Sequence, residues 1–118
     1  MHYERSKDIG KVYDYLDLAS FYGSEKIFNY ILLNVGSSLK LENRGINLAL
    51  IGGNISIVQK YFENVKMNDQ LMTNYLLTTI KYHHNEIFEW LYENFDHRDL
   101  NAYLLIKIAI QFSNYETL

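Results

Sequence analysis

The residues best equipped for chemistry are His83 and His84, with Glu86 two positions further on. Imidazoles beside a carboxylate are zinc-ligand types, but a closed site needs several ligands converging on one point. Adjacent histidines in a turn point in different directions, His2 and His97 stand alone, and no second ligand pair occurs. The pair reads instead as a turn and helix start, with Asn85 or His84 as the cap. Glu86, Glu89 and Glu93 recur along one side of a helix. Acid–base catalysis would require one of them to be buried and raised in pKa, and nothing around them marks a cleft. Gly52-Gly53-Asn54 is followed by no Lys-Ser or Lys-Thr and preceded by no strand, so it is not a phosphate loop. Asn54-Ile55-Ser56 matches a glycosylation acceptor, yet Asn54 falls where a helix cap is expected. No catalytic residue, metal or cofactor is predicted, and the chain is not expected to be an enzyme.

The elements that would position any site follow from a repeat. Ala19, Ala49, Thr79 and Ala109 lie thirty residues apart, all of them small. Asn34, Asn64 and Asn94 form a second column in the same phase, Ile27, Ile57 and Ile87 a third, and Phe28, Val58 and Phe88 a fourth. A period between twenty and fifty residues is the signature of stacked supersecondary units. The predicted fold is therefore an all-α solenoid of helix–turn–helix units, forming one domain over 1–118. Its units cover about 11–40, 41–70 and 71–100, with a partial one at 101–118.

Each unit pairs an inner and an outer helix. In the first, the inner helix is expected over roughly Asp14 to Tyr22, with Leu16, Leu18 and Ala19 facing the core. Gly23 supplies a left-handed turn, Ser24 caps the outer helix, and Ile27, Phe28, Ile31 and Leu32 make its apolar stripe. The second repeats this with Asn43 as a cap, Ile46, Leu48 and Ala49 inward, a Gly52-Gly53 turn, and Ile57, Val58, Tyr61 and Phe62 outward. In the third, Thr73 is the expected cap, followed by Leu76, Leu77, Thr79 and Ile80, then Ile87, Phe88, Leu91 and Tyr92. The fourth turns Ile106, Ala109 and Ile110 inward. Little of the sequence given follows this apolar helix, so a longer array or a covering partner is expected at that end.

Composition narrows the function class. The 118 residues carry a net charge of −3, and their eleven Lys and Arg are scattered, with no basic stripe for nucleic acid. There is no Cys, which excludes disulfides and thiolate metal sites and, with no signal peptide read, points to a cytoplasmic, intracellular setting. The longest uncharged run, Gly45 to Gln59, is too short to span a bilayer. No membrane, nucleic acid or small-molecule substrate is expected.

The stretches Leu18-Ala19-Ser20-Phe21-Tyr22-Gly23-Ser24-Glu25-Lys26-Ile27-Phe28, Leu48 to Val58 and Thr78 to Phe88 share a small residue, a turn and an Ile-Val or Ile-Phe pair. This pattern resembles the ankyrin repeat, and more narrowly the divergent short-repeat ankyrin-like domain of unknown function expanded in protists. Phrases such as Ile80-Lys81-Tyr82-His83-His84-Asn85-Glu86-Ile87-Phe88 are similar to that group. The ankyrin repeat has about 33 residues and a Thr-Pro-Leu-His box. Here the period is thirty, and only the apolar third box position survives, so short loops are expected where the family has β-hairpin fingers. The resemblance implies a non-catalytic module that binds another protein through a concave face. Its groove positions fall on Tyr13, Phe21 and Tyr22, then Asn43, Ile51 and Gly52, then Thr73, Lys81 and Tyr82, and last Tyr103, Gln111 and Phe112. Aromatic residues are frequent there, and aromatics make good interface anchors. The alternative is a structural spacer segment of a larger repeat protein, with no partner of its own.

Overall fold

Among the residues described by the computed structural model (6–35, 40–41, 44–63, 65–95 and 102–111), every regular element is α-helical. The order is α1 (Ser6–Tyr22), α2 (Glu25–Val35), α3 (Arg44–Gly52), α4 (Ile55–Phe62), α5 (Asp69–Lys81), α6 (Asn85–Asn94) and α7 (Ala102–Gln111). No described helix is long and apolar enough to cross a membrane. The chain divides into two compact units, Met1–Glu63 and Asn64–Leu118. That boundary falls directly after α4, earlier than the end of the second unit expected from the period.

Unit 1 holds two helical hairpins. The α1–α2 turn is made by Gly23 at φ +67°, and the α3–α4 turn by Gly53 at φ +79°. Both backbones are in the left-handed region, where a side chain is strained and glycine is not. Asn54 caps α4 as expected, its Oδ1 accepting from the Ile57 N–H at 3.2 Å. Its Nδ2 donates to the Gly23 carbonyl at 3.3 Å, so the cap of one hairpin also holds the turn of the other. Helices thirty residues apart pack on each other: α1 on α3, and α2 on α4.

The core of unit 1 joins α4 to α1 across α3. Ile57, Val58, Tyr61 and Phe62 are all buried on α4, as their spacing predicts. Ser20 is fully buried; its Oγ donates to the Leu16 carbonyl at 2.9 Å and lies 3.0 Å from the Tyr61 hydroxyl. A hydroxyl has one proton, so Tyr61 is the donor in that second bond. The Tyr61 ring lies over Gly45, where a Cβ would come within 2.6 Å of it. A Cβ on Gly52 would collide with the carbonyl oxygen of Ser20 and lie 2.8 Å from that of Phe21. Two glycines thus let α3 and its hairpin close down on α1.

Unit 2 contains the α5–α6 hairpin and α7, which packs on α5. Its turn uses His83 at φ +59°, a left-handed position without glycine. Helix α5 starts four residues before the expected Thr73, because Asn68 is the cap, its Oδ1 accepting from the Leu71 N–H at 2.8 Å. The earlier start lets Met72 reach the core. The buried Thr79 hydroxyl donates to the Leu76 carbonyl at 2.6 Å. Ile87, Phe88 and Leu91 are buried on α6, while Tyr92 stays exposed and stacks on Phe88 with ring centroids 6.0 Å apart.

Other local expectations shift for physical reasons. Helix α1 begins at Ser6 rather than near Asp14; no proline stops it, and the added turns bury Val12. Leu18 and Ile27, expected in the core, are exposed on unit 1, and so are Ile106 and Ile110 on unit 2. The proposed Asn43 cap lies outside the described residues.

Candidate interaction surface

In unit 1 the groove positions expected from the resemblance separate into distinct environments. Tyr13 is half-buried, and its hydroxyl both donates to the Lys40 carbonyl and accepts from the Lys40 N–H, each at 2.9 Å. It ties α1 to the segment before α3, which makes it a fastener as well as a surface residue. Phe21 is 41% exposed and Tyr22 72% exposed, and their rings meet edge to face with centroids 5.0 Å apart. Ile51 is half-buried, one repeat on from Phe21. The carbonyl of Phe21 lies against Gly52, so the end of α1 that carries this ring pair is held by backbone contact rather than by side chains alone.

In unit 2, Lys81 ends α5 and is exposed. Tyr82 is the C-cap, its N–H bonded to the Thr78 carbonyl at 3.2 Å and its ring half exposed. Thr73 is half-buried, Tyr103 is almost fully exposed on α7, and Gln111 is exposed at its end. Phe112 lies outside the described residues.

The residues first weighed for chemistry are turn and helix-surface groups. His83 occupies the left-handed turn; His84 is the α6 N-cap position and makes no side-chain cap bond. Glu86, Glu89 and Glu93 are exposed on α6. Among the described residues no three His, Cys, Asp or Glu side chains come together as a metal site. Burial raises the pKa of Tyr75 above its usual 10.0. That tyrosine is buried in the helical core of unit 2.

A second surface in unit 1 escaped the sequence reading. An apolar groove of about 480 Å³ runs between α1 and α2, floored by Val12, Ala19 and Val35 and walled by Tyr15, Leu18, Tyr22, Ile27, Tyr30 and Ile31. Ser24 and Asn34 complete the lining, and among the described residues no charged side chain contributes. Its size is within the range of ligand-binding pockets. The signal was present in the columns: Tyr15 and Tyr22 stand where the second hairpin has Gly45 and Gly52. Burial along the columns makes the same point. Ile57 and Ile87 are each 1% exposed, whereas Ile27 is 56% exposed.

Comparison with protein-family models, with curated proteins and with solved structures finds no match to this chain.

Proposed function

We propose that the hairpins are ankyrin-like repeat units and that the chain is a non-catalytic module for binding another protein. The observation that carries this reading is the exposed Phe21–Tyr22 ring pair, seated at the end of a helix fixed by close backbone packing. With the backbone beneath the rings already fixed, no segment has to be ordered on binding, so more of the contact energy appears as affinity. Within unit 1, Phe21 and Ile51 form one side of the binding face; within unit 2, Lys81, Tyr82 and Gln111 do so. Thirty-residue offsets between packed helices support the repeat reading: α3 lies on α1, and α7 on α5. The spacer alternative is favoured by the uncovered Ile27 and Ile106 positions, which fit a chain whose work is stacking.

The test uses the whole chain as bait, with a Phe21→Ala/Tyr82→Ala variant beside it. Both residues are substantially exposed, so helical circular dichroism should match the wild type. A partner retained by the wild type and lost from the variant supports the module. Capture that ignores the double substitution, or no capture at all, leaves the spacer role in its place.

A further inference from the structure

Every hairpin in a stack has a back, turned to the preceding hairpin, and a front, turned to the next. Inside unit 1 both halves of one such contact are visible. The front of α1 presents Leu16 and Ser20, both buried. The back of the α3–α4 hairpin closes on it through Gly52, whose backbone meets the Ser20 carbonyl, and through Tyr61 above Gly45, whose hydroxyl reaches Ser20. The thirty-residue counterparts of Gly45 and Gly52 in α1 are Tyr15 and Tyr22, and these wall the open groove. The counterparts of Leu16 and Ser20 in α7 are Ile106 and Ile110, which are 46% and 53% exposed. Among the described residues, one chain therefore leaves exposed both a back and a front of the same type of interface.

We propose that copies of this chain associate head to tail, the front of α7 from one copy seating in the α1–α2 groove of the next. The contact continues the one already made by α1 with α3. It cannot repeat that contact's spacing, because two tyrosines stand where glycines allowed backbone to meet backbone. The side chains compensate: where Ser20 is small, Ile110 is large, and with Ile106 it forms a ridge at i and i+4 that enters between the tyrosine rings. Because front and back differ, the association is heterologous, a ridge of one copy in the groove of another, rather than one patch paired with itself. The inference rests on the hairpin-stack reading and is independent of a partner at Phe21.

Sedimentation velocity over a wide concentration range tests it, with Ile27→Glu altering the groove and Ile110→Glu altering the ridge. Both positions are exposed, so each variant should keep wild-type helical content. The wild type should associate as concentration rises, and each variant alone should weaken association by about a hundredfold in Kd, two decades of affinity. The decisive arm mixes the two variants. The intact ridge of one meets the intact groove of the other, so the mixture should form a one-to-one pair and stop there. A wild type that stays monomeric overturns the proposal. So does association abolished by Ile27→Glu but untouched by Ile110→Glu, which is the behaviour of a symmetric dimer through the groove alone. Full assembly in the mixture overturns it too.

Discussion

Replacing Gly52 by alanine should separate the two hairpins of unit 1. In an ordinary helix the change would help, since alanine is favoured over glycine by about 1 kcal/mol. At Gly52 the added methyl meets backbone, the carbonyl oxygens of Ser20 and Phe21, the second at 2.8 Å. Backbone cannot rotate away as a flexible side chain can, so α3 must move off α1. Overpacking of this kind costs about 1–3 kcal/mol, and a clash with a carbonyl belongs at the upper end. The difference leaves a net loss of about 1–2 kcal/mol. For a unit of this size each kcal/mol moves Tm by roughly 4–8 °C, so the transition of unit 1 should fall by about 5–15 °C. Gly10 is the control: it lies within α1, a methyl added there would meet nothing within 4 Å, and Gly10→Ala should stabilise by about 0.5–1 kcal/mol. Thermal melts followed by circular dichroism would measure both. If Gly52→Ala melts at or above the wild type, the close approach of α3 to α1 is wrong, and the proposed stacking of repeats loses its support.

Two further outcomes follow from single contacts. Asn54→Ala removes the cap accepted by the Ile57 N–H and the donation to the Gly23 carbonyl, and should cost about 1–2 kcal/mol in urea unfolding; an unchanged midpoint would show that neither bond matters. Tyr75 is the alkaline probe. Its folded pKa lies above the unfolded value of 10.0, so its contribution is fully present below about pH 10 and is lost as pH rises through the folded pKa. Tyr75→Phe should therefore lose less stability than the wild type above pH 10. Equal losses in the two proteins would place the burial penalty elsewhere.

Much of the architecture was legible because it is local. Helical periodicity in Ile57, Val58, Tyr61 and Phe62, glycine at the two left-handed turns, and Asn54 before an apolar run each act within a few residues. The cap at Asn68 was missed because Thr73 is an equally good local signal, and only burial of Met72 decides between them. The ring pair at Phe21 and Tyr22 could be named from its place before Gly23, but its fixation could not. That fixation comes from Gly52, thirty-one residues away from Phe21 in sequence.

The amino-acid sequence by itself determined the helical class, the thirty-residue phase and the positions of the turns, since hydrophobic spacing and left-handed backbone are encoded residue by residue. Tertiary structure alone decided which members of each column are covered. Ile27 and Ile57 are identical residues in identical phase, and one is exposed and the other buried because, among the described residues, only the second has another hairpin against its back. Burial is a property of what lies on the far side, and no side chain carries that information about itself.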